Sequence, residues 1–143
     1  MNILDKRARY EIVEAIRRAE GSTRGEIRVH VQNRCGEDPL KEARKVFRRL
    51  GMHRTREHNA VLIFVALQSR LFAIFGDEGM HGKVGDVFWN AARDKMQDHF
   101  VKNDIVGGIV AGVQSVGKKL KEHFPAAAGN RDELSDTVSE GRQ

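Results

Sequence analysis

Two apolar runs, Ala60-Val-Leu-Ile-Phe-Val-Ala66 and Leu71-Phe-Ala-Ile-Phe75, flank a polar turn at Gln68-Ser69-Arg70, and the second ends in Gly76-Asp77-Glu78-Gly79. Runs of this length, rich in β-branched and aromatic residues and closed by turn residues, read as strands buried on both faces. The short connection makes them antiparallel neighbours. The second run therefore carries Asp77 and Glu78 to the rim of a buried sheet, where charge is costly unless it is wet or neutralised.

Upstream, Glu26-Ile-Arg-Val-His-Val-Gln32 alternates strictly, with Ile27, Val29 and Val31 on one side, which predicts a strand with one polar face. Between it and the hairpin, Asp38-Pro39 supplies a cap and a first-turn proline for a helix that runs to about Leu50 and ends at Gly51. A strand, a helix and a strand in this order imply a right-handed parallel crossover, so the sheet should be mixed.

Three more helices complete the pattern. The first starts at Asp5 and repeats Ala8, Ile12, Val13, Ile16 and Ala19 before Gly21. The third follows Val84, Val87, Phe88, Ala91, Ala92, Met96 and Phe100. The fourth is capped by Asn103-Asp104, turns Ile105, Ile109, Val113, Val116 and Leu120 inward, and stops at Pro125. Its Gly108-x-x-x-Gly112 should let it approach the sheet closely. Residues 126–143 contain no aromatic and only Leu134 and Val138 as large aliphatics, which predicts a disordered tail behind a single domain of residues 1–125.

A chain of 143 residues with 40% hydrophobic and 31% charged residues can bury a core without staples. One cysteine, Cys35, forms no internal disulfide and suits a reducing compartment. The start, Met1-Asn-Ile-Leu followed by Asp5-Lys-Arg-Ala-Arg9, lacks the apolar stretch of a secretory signal. Residues 105–117 are too short to span a bilayer, which takes ~20 residues. These readings predict a cytoplasmic protein without a transmembrane segment.

No phosphate-binding glycine loop, His-Glu-x-x-His pair, nucleophile elbow or dinucleotide fingerprint is present. The carboxylates are the remaining chemistry. In α/β layouts ligands bind outside the carboxyl ends of parallel strands. On that rule Asp77, Glu78 and Asp104 lie on promising loops, while Glu20 and Glu26 flank the glycine-rich turn into the first strand. Oxygen ligands from several loops suit Ca²⁺ or Mg²⁺. His53 and His58, five apart, are a weak zinc pair. A second feature is charge: Lys41, Arg44, Lys45, Arg48, Arg49, Arg54 and Arg56 stand against the single acid Glu42. Such a patch attracts nucleic acid, anionic lipid or an acidic protein, or simply forms a solvated helix face.

Five pieces, Ile16-x-x-Ala-Glu20-x-x-Thr-x-Gly-Glu-Ile-Arg-Val29, Phe47-x-x-Leu-Gly-Met52, Asn59-Ala-Val-Leu-Ile63, Phe72-x-Ile-x-Gly-Asp77 and Asp104-x-x-Gly-Gly-Ile109, occur in an order that resembles the TPM domain family. The chain is most similar to its short bacterial members. The resemblance implies an α/β fold, a three-layer α/β/α sandwich with a small mixed sheet, a central hairpin and about four helices. It also implies a divalent cation site, Ca²⁺ or Mg²⁺, and in some members acid phosphatase activity. Carried to matching positions, the ligand candidates are Asp77 and Asp104, then Glu20 and Glu26. No cation in the motifs is an evident phosphate clamp, although Arg24 and Arg28 are close by. The expected function is thus a cation-binding domain with weak or no hydrolysis that acts through a protein partner, a membrane-associated one included. Alternatives are a metal-assisted phosphatase, or a binder of nucleic acid or anionic membrane through residues 41–56. Few aromatic platforms are available for bases, which disfavours nucleic acid.

Overall fold

The computed structural model describes residues 4–80, 86–126 and 138–141. Strand β2 (Ala60–Ala66) is buried at every position, as its unbroken apolar run requires. On one side lies β1 (Glu26–Gln32), parallel, with Glu26 opposite Ala60 and Gln32 opposite Ala66. On the other lies β3 (Leu71–Gly76), antiparallel, with Leu71 opposite Ala66 and Gly76 opposite Val61. A two-residue strand, β4 (Ser139–Glu140), pairs in parallel with His30 and Val31, giving the order β3-β2-β1-β4. The sheet is mixed, as the connections predicted.

Helices α1 (Lys6–Glu20), α3 (Asn90–Phe100) and α4 (Ile105–His123) cover one face of the sheet. Their apolar stripes meet Ile27, Val29, Val31, Val61, Ile63, Val65 and Ile74 in the larger core. Helix α2 (Pro39–Arg49) covers the other face, setting Ala43, Val46 and Phe47, with Met52 of the turn that follows, against Ala60, Leu62, Phe64 and Ala66. This is the expected three-layer sandwich. Asp5, Asp38 and Asp104 each accept a backbone N–H from the first turn of their helix, so all three serve as N-caps.

Four expectations need refinement. The glycines of α4 bring it close to its neighbouring helix rather than to the sheet: a Cβ on Gly108 would sit 2.3 Å from the Phe100 ring, and one on Gly112 would sit 2.6 Å from Met96 Sδ. Helix α3 begins only at Asn90, after a tighter turn at residues 86–89, and Val84 lies outside the described residues.

The alternate face of β1 is polar but buried, with His30 2% and Gln32 4% exposed. The His30 ring stacks on Phe64, and its Nε2 lies 2.9 Å from Gln32 Oε1.

Within the segment expected to be a disordered tail, residues 138–141 instead complete this face. Val138 is buried, Gly141 N–H donates to Val31 O, and Arg28 Nε donates to Ser139 Oγ. Arg9 binds both the Val138 carbonyl and the Glu140 carboxylate. Backbone pairing supplies much of this attachment, which explains why an apolar count over the segment gives no hint of it. Residues 127–137 and 142–143 of that segment lie outside the described residues.

Candidate functional site

Because β3 runs against β1 and β2, its carboxyl end meets their amino ends. Asp77 N–H continues the ladder by donating to Ala60 O, opposite which stands Glu26. Glu26 and Asp77 thus share a sheet face with Ala60 between them, two strand spacings or ~10 Å apart along the backbone. Glu20, at the end of α1, reaches the same pole and accepts Ile27 N–H through Oε2 at 2.8 Å. All three carboxylates are buried, at 4%, 2% and 7% exposure for Glu20, Glu26 and Asp77.

Asp77 has the most unusual surroundings. Its Oδ1 accepts Glu78 N–H at 2.7 Å, whereas its buried Oδ2 accepts no hydrogen bond. Beside it stands the His58 ring, whose Nδ1 lies 3.4 Å from Asp77 Oδ2 and 3.8 Å from Glu78 Oε1, without hydrogen-bond alignment. The Asn59 side chain is 1% exposed, and its Nδ2 also has no partner.

Local backbone fixes this grouping. His58 adopts a left-handed φ of 51°, which is uncommon for a side chain of its size. Gly79 presses against the same turn: a Cβ there would lie 2.3 Å from the carbonyl oxygens of Glu57 and His58. Only glycine permits that approach.

Asp104 lies at the opposite pole. Leu120 of α4 packs on Gly25, and Phe124 O accepts the N–H of Arg24, so the carboxyl end of α4 is beside the start of β1. Its amino end is therefore a sheet length away, near the Phe72–Phe100 ring contact, and β3 alone spans ~17 Å between the two poles. The Asp104 oxygens are occupied locally: Oδ1 accepts Gly107 N–H, and Oδ2 lies 3.0 Å from His99 Nδ1. These bonds, His99 first, hold its carboxyl below the usual range. A helix amino terminus also repels a cation. The structure therefore brings Glu20, Glu26, Asp77 and Glu78 to one pole and leaves Asp104 as a cap at the other.

The donor set at the Asp77 pole fits a cation in part. Asp77 Oδ2 is a buried anionic oxygen without a hydrogen bond, the type that a hard cation takes. Among the described residues, however, no three His, Cys, Asp or Glu side chains gather closely enough to hold an ion by themselves. His58 is the residue that sequence reasoning missed here, having considered it only with His53. The signal was available, since a hairpin sets the residues before its first strand beside those after its second.

Neither nearby arginine faces this group. Arg24 forms a two-point pair with Glu57, donates to Pro125 O and lies over the Phe124 ring. Arg28 is turned toward β4. The seven basic residues from Lys41 to Arg56 are all exposed and lie along α2 and the loop that leads to His58. No helix among the described residues is long and apolar enough to cross a membrane.

The model of the TPM domain matches residues 1–119. Among solved structures, the chain is similar to the BA42 protein of the psychrophilic bacterium Bizionia argentinensis, with 38% identity, 98% of this chain and 97% of that chain covered, and a TM-score of 0.91. It shares its fold with the N-terminal domain of a P. gingivalis protein, at 23% identity, 86% and 80% coverage and a TM-score of 0.68. The same holds for the N-terminal domain of cg2496 from Corynebacterium glutamicum, at 18% identity, 93% and 83% coverage and a TM-score of 0.67. No curated protein matches the chain.

Proposed function

Given that the chain belongs to the TPM domain family, we propose that it binds a divalent cation, Ca²⁺ or Mg²⁺, at the Asp77 pole and acts through a protein partner rather than by turnover. The observation that carries this reading is the buried Asp77 Oδ2, which accepts no hydrogen bond. A carboxylate kept so is costly unless positive charge arrives. Asp77 would hold the ion and Glu78, 76% exposed in its side chain, would reach it from the solvent side. Backbone carbonyls and water commonly complete such shells. The bound ion would supply the compensating charge, and the turn pinned by Gly79 would report its presence to a partner.

Hydrolysis of phosphomonoesters is the weaker reading. It needs a cationic clamp for the phosphate, and Arg24 and Arg28 are engaged elsewhere. The deciding experiment is amide NMR during titration with Ca²⁺ and with Mg²⁺, on the wild type and on Asp77→Asn. Shifts should concentrate in residues 57–60 and 76–80 and vanish in the variant. A wild type that does not respond there, or a variant that responds equally, overturns the proposal.

A further inference from the structure

The α2 face presents an independent problem in charge. Residues 41–56 hold seven basic side chains and one acid, out of 25 and 20 in the whole chain, so the remainder has 18 against 19. All of the net positive charge thus lies on α2 and the loop that follows it. All seven side chains are exposed, and among the described residues none forms an ion pair.

A merely solvated face does not require this arrangement. Lys41 and Lys45, Arg44 and Arg48, and Lys45 and Arg49 are like-charged pairs four apart on α2, a spacing at which they repel. Arg48 and Arg49, in the last turn, complement the helix dipole, but Lys41 in the first turn opposes it. The helix retains charges that weaken it as a helix.

We propose that this face docks on an anionic phospholipid surface. As the outermost layer of its side of the sheet, α2 can lie along a plane with its cations toward headgroups. Leu40, 49% exposed, shares the stripe of Arg44 and Arg48 and places an apolar group where it can enter the headgroup layer. Arg44 is exposed and its guanidinium lies over the Phe75 ring, 5.8 Å from the centroid. Nucleic acid fits less well. The outward residues of α2 include no Asn, Gln, Ser or Thr to read bases, and Tyr10, the exposed aromatic among the described residues, belongs to α1 across the sheet.

The test is co-sedimentation of the full chain with phosphatidylcholine vesicles, with and without about 30 mol% phosphatidylserine, at about 0.05 and 0.3 M NaCl. Binding should require phosphatidylserine and fall about tenfold or more at the higher salt. The triple variant Arg44→Gln, Arg48→Gln, Arg49→Gln should lose it while keeping its circular dichroism and melting temperature. A control, Arg18→Gln, Lys118→Gln, Lys121→Gln, changes net charge equally on the opposite layer and should bind as the wild type does. Equal loss in both variants reduces the effect to net charge and overturns the proposal. So does binding to neutral vesicles alone, no vesicle binding, or tighter binding to a DNA duplex at the same salt. The outcome is separable from the cation site, since Asp77→Asn leaves all seven basic residues in place.

Discussion

The His58 ring stands 3.4 Å from Asp77 Oδ2, the one hydrogen-bond-free oxygen of that buried carboxylate. The ring thus stands where the proposed cation would bind, and His58→Ala, which removes it, should change the cation affinity measurably. Calorimetric titration of wild type and variant with Ca²⁺ and Mg²⁺ checks this, and an unchanged affinity would remove His58 from the site.

Gly79→Ala should disrupt the turn that places His58. Its new Cβ would fall 2.3 Å from two backbone carbonyl oxygens, which cannot move as a flexible side chain can. The expected cost is about 1–3 kcal/mol, as for overpacking elsewhere. Denaturant unfolding measures it, and a neutral substitution would mean that the two segments separate easily.

Gly108→Ala makes a sharper case because the sign is inverted. In the interior of an exposed helix, Gly to Ala gains roughly 0.5–1 kcal/mol. Here the added carbon meets the Phe100 ring at 2.3 Å, so the substitution should destabilise α4 against α3. A raised melting temperature would contradict this packing.

Stability should depend on pH through His30. Burial comes first in holding its imidazole below the ordinary range, Arg49 and Arg28 push the same way, and Gln32 and Glu42 oppose them. A folded-state value below the unfolded one means that the unfolded chain takes the proton first. The contribution is therefore complete above pH ~6.5 and is lost as pH falls below it. Unfolding curves between pH 8 and pH 5 should show a decline that His30→Gln flattens.

Asp104→Ala should lower stability by removing the cap on Gly107 N–H and the contact with His99. It should leave the cation response of residues 76–80 intact. Loss of that response in a folded variant would contradict the separation of the two poles.

The sheet was legible because its signals are local: the unbroken run of β2, the alternation of β1 and the caps at Asp5, Asp38 and Asp104 all lie within a few residues. The site was legible only in its members. Asp77 could be picked out, but grouping it with Asp104 came from the family resemblance and from a rule about carboxyl ends that applies to parallel strands. Because β3 is antiparallel, its carboxyl end joins the amino ends of β1 and β2, and Asp77 went to their pole. His30 was read as part of a polar face because alternation reveals the side of a strand, not what covers it. The cover, residues 138–141, comes from more than a hundred residues downstream and attaches largely through backbone atoms and arginines.

That short strand also affects how the molecule can be cut. Ending the chain at Pro125, where composition places the boundary, would remove the backbone that pairs with His30 and Val31 and the partners of Arg9 and Arg28. A fragment made that way would keep every helix yet expose hydrogen-bonding groups along the outer side of β1, the kind of edge on which chains associate with one another.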